Sequence, residues 1–344
     1  MGSIFGLSYL TLLLIGIALV FDFINGFHDS SNIVATAISS RAMSSRKALA
    51  LSALAHFCAP FVFGVAVATT IGYEIVNPKA ITVSIIFAAL IAAIIWDLIT
   101  WFFGLPSSSS HALVGGLVGA AVISHGPGIL QRTGLFKTII SLFISPILGS
   151  IVGYLLMKSV LFLARGASPR INWFFKRFQY VTSLALALSH GTNDAQKAMG
   201  IITMSLVVTG YLSEFKVPYW VVALCASAIS LGTAVGGWRI IKTLGAKFYR
   251  IRPVHAFAAQ SASAFVILGA ALLGGPVSTT HVVSSAIMGV GSAERLSKVR
   301  WGIAGEILIA WLVTLPVTAL IAALLCVLFG TLLGLPGCGI GIWR

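Results

Sequence analysis

Long apolar runs separated by short polar breaks make up most of the chain. They fall at about 4–25, 31–40, 48–72, 80–103, 111–124, 135–163, 178–190, 198–212, 217–238, 255–273, 281–291 and 302–333. Several pass the roughly 20 residues that span a bilayer and exceed the about 10–14 of a core helix, which favours membrane helices over a lipid-facing barrel. The shorter runs abut four polar or Gly/Pro-rich breaks, at 26–32, 104–111, 191–197 and 274–281. Irregular backbone at membrane depth is tolerated only where it lines a cavity or is buried in protein. The pattern therefore predicts an all-α integral membrane protein of about 10–12 membrane segments. Broken helices are expected at 26–32 and 191–197, and two re-entrant helical hairpins at 80–124 and 255–291, although a full crossing there gives the same loop sidedness.

Composition agrees with that pattern. Of 344 residues, 58% are hydrophobic and 9% charged, against about 25% charged in a soluble chain. The net charge of +14 is no nucleic-acid footprint, because the basic residues sit in short loops. Loops at 41–47, 158–177, 239–252 and 295–300 carry 16 of the 22 Lys and Arg, whereas those near 73–79, 125–137 and 213–216 carry four. The positive-inside rule places the first group in the cytoplasm, with Arg132 and Lys137 in mild dissent. A cell (inner) membrane location with both termini on the outer side follows. No basic region precedes the first apolar run and no A-x-A-like site follows it, so it reads as a retained helix. Cys58, Cys225, Cys326 and Cys338 show no metal-ligand spacing, and those in apolar segments read as packing residues.

The chain repeats itself. "GFHDSSN" (26–32) aligns with "GTNDAQK" (191–197) at an offset of 165, and "GLPSSSSH" (104–111) with "GGPVSTTH" (274–281) at an offset of 170. Two matches in one order and at nearly one offset define an internal duplication. It divides the chain into a first repeat at 1–163, a short basic linker at 164–177 and a second repeat at 178–344. The basic loop at 41–47 corresponds to the neutral 213–217, and the near-neutral 73–79 to the basic 239–252, so the repeats are expected to be inverted. Inverted repeats with broken helices and midplane polar groups point to a secondary transporter.

The acids supply candidate chemistry. Glu74, Glu214 and Glu294 lie in loops, whereas Asp22, Asp29, Asp97, Asp194 and Glu306 lie in or beside apolar segments, where an ionisable group is costly and marks function or a structural pair. Asp97 and Glu306 have no counterpart in the other repeat. Asp22, Asn25 and Asp29 share a helix face at i, i+3 and i+7. With Asn193 and Asp194 they form an oxygen-rich set suited to sodium, a hard cation, and glycine at 26 and 191 would let the backbone open to add carbonyls. The hydroxyl runs suit an anion: Ser108, Ser109, Ser110, Thr279 and Thr280 follow prolines at helix starts, where free N–H groups and the dipole favour a tetrahedral oxyanion. Plain N-capping is the alternative for either run alone. Lys197, inside the second heptad between two apolar runs, would balance charge nearby. Bound cations would relieve repulsion between the aspartates and a phosphate dianion, which couples the two ligands. His28, His190, His111 and His281 fit an anion-contact or proton-coupling role as well as they fit packing. No nucleotide loop, zinc motif or nucleophile–base pair is present, so an enzyme is not expected.

"NGFHDSSNIVAT" (25–36) and "ALSHGTNDAQKAMG" (187–200) resemble the duplicated signature of the inorganic phosphate transporter (PiT) family, roughly GANDVANA in each half. The resemblance covers nearly the whole chain. It implies an inverted-repeat symporter that moves inorganic phosphate with sodium or protons as a homodimer in the bilayer. Asp29 and Asp194 stand at the motif aspartates and Asn32 at the downstream asparagine. His28 replaces the first motif asparagine, which Asn193 keeps, and Lys197 replaces the second downstream asparagine. The large hydrophilic loop of some members is missing between the halves. The expected function is sodium-coupled phosphate symport by alternating access, with no organic cofactor. The alternatives are a proton-coupled phosphate or sulfate permease of the same fold, and a passive anion channel.

Overall fold

The computed structural model describes residues 7–77 and 81–333. Cys338 and both termini, for which an outer-side location is expected, lie outside the described residues. Twelve helices follow one another: α1 (Tyr9–Ser39), α2 (Ser45–Phe63), α3 (Ala66–Thr69), α4 (Val83–Phe103), α5 (Ser109–His125), α6 (Arg132–Leu163), α7 (Ile171–Val208), α8 (Tyr219–Val235), α9 (Trp238–Lys242), α10 (Pro253–Leu272), α11 (Thr279–Glu294) and α12 (Trp301–Leu333). The order of lengths repeats after α6, and a π-helical turn follows both α3 and α9, at Thr70–Glu74 and Thr243–Lys247. Five helices (α1, α4, α6, α10 and α12) are long and apolar enough to cross a membrane, and two bent pairs raise the number to seven. The basic linker is short: α7 begins at Ile171, within it.

The expected breaks at the two heptads do not occur. Gly26–Asn32 lies inside the 31-residue α1 and Gly191–Lys197 inside the 38-residue α7. Their hydroxyls satisfy the helix instead of opening it: Ser30 and Ser31 donate to Phe27 and His28 carbonyls, and Thr192 to the Leu188 carbonyl. Gly26 serves close approach, since a Cβ there would overlap the Ile229 carbonyl of α8. The chain breaks in the partner helices, at Gly64 (φ +82°) between α2 and α3 and at Gly236 (φ +78°) between α8 and α9. The axes bend there by 79° and 57°.

The two hairpins form as expected. α4 turns into α5 at Gly104 and α10 into α11 at Gly274, both in the left-handed region. With 17 and 16 residues, α5 and α11 are too short to cross a bilayer alone. Their tips meet: Ser110 Oγ donates to the Val277 carbonyl at 3.0 Å, and the His111 and His281 rings lie 4.5 Å apart. The halves are interleaved, with α1 against α8 and α2 against α7, and with α5 against α12 and α6 against α11. α6 and α12 form the periphery; only 22% of each span is buried, against 61% for α4 and α10. Cys58 and Cys225 are free thiols. Cys225 and Cys326 are fully buried in the core, and Cys326 is disulfide-bonded, whereas Cys58, also expected to pack, is exposed.

Candidate functional site

The middle of α1 and of α7 and both hairpin tips converge on the two motif aspartates. Asp29 Oδ1 lies 3.0 Å from His28 Nδ1 and accepts from Thr280 Oγ1 at 3.0 Å, while Ser109 Oγ is 3.3 Å from Oδ2. Asp194 Oδ1 lies 2.7 Å from Lys197 Nζ and accepts from Asn193 Nδ2 at 3.0 Å; its Oδ2 accepts from Thr279 Oγ1 at 3.1 Å and lies 3.0 Å from His190 Nδ1. Each aspartate is thus held by a hydroxyl from a hairpin tip. The halves are joined across the middle: Thr280 of the second tip reaches Asp29, and Lys197 donates to Ser109 of the first tip at 2.8 Å. Asn32 Nδ2 donates to Thr280 Oγ1 at 3.0 Å, which leaves that hydroxyl its own proton for Asp29.

The expected cation ligands separate into two groups. Asp29 and Asp194, with His190, present ligand atoms within 4.8 Å of one another. Asn25 is tied to them, its Oδ1 2.7 Å from Ser109 Oγ. A hydroxyl has one proton, so Ser109 serves either Asn25 or Asp29 at a given moment. Both carboxylate oxygens of Asp22, and the amide nitrogen of Asn25, are buried without a hydrogen-bond partner. A buried charge without compensation is expensive, and a bound cation would remove the cost at Asp22. Asn193 is committed elsewhere: it exchanges hydrogen bonds with the Val277 backbone, at 3.0 and 3.3 Å, and so fixes the second tip.

The expected anion contacts also divide. Ser108 is the N-cap of α5, accepting from the His111 amide at 3.2 Å, as Ser278 does for α11 with His281. N-capping, the plain alternative, accounts for those two. Ser110 holds the opposite tip, leaving Ser109, Thr279 and Thr280 on the carboxylates. All of these groups are sealed from solvent: Asp22, Asn25, Asp29, Asp194, Lys197, Ser109, Thr279 and Thr280 are each at most 1% exposed.

Several participants were not legible as such in the sequence. Gln196 Oε1 accepts from the Val67 and Ala68 amides at 2.7 and 3.1 Å, and its Nε2 donates to the Gly64 carbonyl at 2.7 Å. Ser30 Oγ accepts from the Gly237 amide at 2.9 Å. The heptads thereby satisfy free backbone groups at the breaks preceding α3 and α9. Thr100 Oγ1 bonds Ser107 Oγ at 2.7 Å and lies 3.4 Å from His28 Nε2, one turn beyond Asp97. Asp97 is buried with both carboxylate oxygens unpartnered. The threonine at i+3 from Asp97 was the available signal. His56 stacks on His190, centroids 5.1 Å apart, and binds Thr233. Glu306 is exposed on α12 and takes no part.

This arrangement has relatives. The sequence profile described as "Phosphate transporter family" matches twice, at residues 25–173 and 164–322. The chain is 47% identical over 313 residues to a "Probable low-affinity inorganic phosphate transporter" of Rhizobium meliloti (strain 1021), covering 90% of this chain and 94% of that one. A protein of the same description in Bacillus subtilis (strain 168) is 45% identical, over 92% of this chain and 96% of its own. A solved structure titled "The sodium-dependent phosphate transporter" superposes with a TM-score of 0.85 over 94% of this chain and 100% of that one; at 24% identity it shares the fold. The family and these relatives are transporters rather than enzymes. Two matches of one family model, each containing one of the two buried aspartates and together spanning most of the chain, make this protein a member of the phosphate transporter family.

Proposed function

We propose that the chain is a secondary active transporter that carries inorganic phosphate across the cell membrane together with sodium, by alternating access about the buried aspartates. The observation that carries this reading is the pairing of each motif aspartate with a hydroxyl from a helical-hairpin tip, at the point where both tips meet. Helix N-termini and hydroxyls attract a tetrahedral oxyanion, and carboxylate and amide oxygens attract a hard cation. Placed side by side in a sealed, low-dielectric site, the two ligands stabilise each other. Asp22, Asn25 and Asp29 are the proposed cation ligands, with Asp194 paired to Lys197 beside them and Asn193 orienting the second tip. Ser109, Ser110, Thr279 and Thr280 are the proposed phosphate contacts, with Ser108 capping the helix that presents them.

The relatives are named for inorganic phosphate, and the structural neighbour's title names sodium dependence. The exchange of helices between halves and the opposite charge of corresponding loops support inverted repeats, which gives alternating access its two mirror-related states. The exposed faces of α6 and α12 suit lipid and the contacts of a homodimer. A proton-coupled permease is the second reading, favoured by His28 Nδ1 lying 3.0 Å from Asp29 Oδ1.

In proteoliposomes, Asp29→Asn is expected to abolish sodium-stimulated uptake of labelled phosphate. Uptake that ignores both sodium and this substitution contradicts the reading.

A further inference from the structure

The two repeats hold their motif aspartates alike and then diverge. Ser109 and Thr279, related by the 170-residue offset, approach Asp29 Oδ2 and Asp194 Oδ2 at 3.3 and 3.1 Å. On the same face of α1 as Asp29 the first repeat adds Asp22 and Asn25, whose carboxylate oxygens and amide nitrogen have no hydrogen-bond partner. The positions that match them in the second repeat are Ala187 and His190, so no second carboxylate stands there. Instead Lys197 places Nζ 2.7 Å from Asp194 Oδ1 and 2.8 Å from Ser109 Oγ, with no exposed surface. Asn32, its counterpart at the 165-residue offset, contributes only a neutral amide, to Thr280.

We propose that Lys197 is a built-in cation: its ammonium fills at Asp194 the place that a transported cation takes in the first repeat, so phosphate crosses with one cation fewer than the two motif aspartates would otherwise set. The inference rests on the symport reading above. Its physical basis is exclusion. A free monovalent cation about 4 Å from a buried ammonium would bind roughly a thousandfold more weakly than without it, at an effective dielectric constant of about 20. The tethered charge also neutralises Asp194 in both halves of the transport cycle, because it cannot leave with the substrate. Lys197 thereby acts as a residue that determines coupling stoichiometry.

The test compares wild type with Lys197→Asn and with the double variant Lys197→Asn/Asp194→Asn. With a tenfold inward sodium gradient, and with membrane potential and proton gradient held at zero by ionophores, each coupled sodium multiplies the limiting phosphate accumulation by about ten. Lys197→Asn is expected to accumulate about tenfold more than wild type, because an additional sodium now travels. Melting temperature in sodium against choline is the second readout, and needs no transport. Sodium should raise it more for Lys197→Asn than for wild type, while the double variant, lacking the carboxylate, should return to the wild-type shift. A transporting Lys197→Asn with unchanged accumulation overturns the inference, and so does a non-transporting one whose sodium shift does not exceed wild type. If sodium drives no accumulation even in wild type, the symport reading fails, and the Lys197 inference then stands or falls on the melting shift.

Discussion

Two aspartates, Asp29 and Asp194, organise the centre of this molecule, and each is held by neighbours on its own helix together with a hydroxyl from a hairpin tip. Thr280 illustrates how such a network acts. It donates to Asp29 and accepts from Asn32, which is 248 residues away in sequence. Thr280→Val keeps the shape and removes both bonds. A hydrogen bond to a charged group contributes about 1.5–3 kcal/mol, so uptake at low phosphate is expected to fall roughly ten- to a hundredfold. Uptake of labelled phosphate by the variant, at matched protein levels, checks this. The sequence already displayed the aspartates, the hydroxyl runs and Lys197, because each is a polar group in an apolar context that one can read locally. It did not display which hydroxyl serves which carboxylate. Ser108 and Ser109 are neighbours with the same chemistry, yet the first caps α5 and the second reaches Asn25 and Asp29. That division depends on helix geometry at the tip, not on residue type.

At the scale of elements, the heptads act as struts. Gln196 supplies the acceptor for two amides at the start of α3, about 129 residues away in sequence, and Ser30 does the same for Gly237 before α9. Gln196→Ala would leave the Val67 amide unpartnered, at about 1–3 kcal/mol, and free the Gly64 carbonyl, while the Ala68 amide keeps the Val65 carbonyl. The melting temperature should therefore drop by several degrees, with transport lost in proportion to unfolded protein. Close helix approach gives a second element-level test. A Cβ on Gly119 of α5 would overlap the Ala319 carbonyl of α12, whereas one on Gly269 of α10 meets nothing within 4 Å. Gly119→Val should yield little folded protein and Gly269→Ala near-normal amounts, as read by size-exclusion chromatography. The hairpins were legible because proline, glycine and hydroxyl clusters punctuate them. The breaks after α2 and α8 were not, because Gly64 and the Gly236–Gly237 pair sit within apolar runs and the compensating groups lie in another helix. The same long-range compensation explains why the heptads, which resemble breaks, stay helical.

For the whole molecule, interleaving of the two halves ties both hairpins to one central site that is closed to solvent on all sides. Under the proposed alternating access, such a closed site between duplicated halves corresponds to an occluded intermediate. The distribution of basic loops makes a testable prediction of sidedness. In a background with the exposed Cys58 replaced by Ala, Ser168→Cys should label only from the cytoplasmic face and Ser213→Cys only from the outer face, since both positions are exposed. Labelling of both from one side would contradict the inverted arrangement. The central claim is that a sodium gradient does work on phosphate. The most direct measurement is accumulation of labelled phosphate in proteoliposomes under an inward sodium gradient, with the proton gradient and membrane potential collapsed. The account predicts internal phosphate rising above its external concentration and returning to equality when sodium is equalised. Equilibration without accumulation, or accumulation driven by a proton gradient alone, would contradict it.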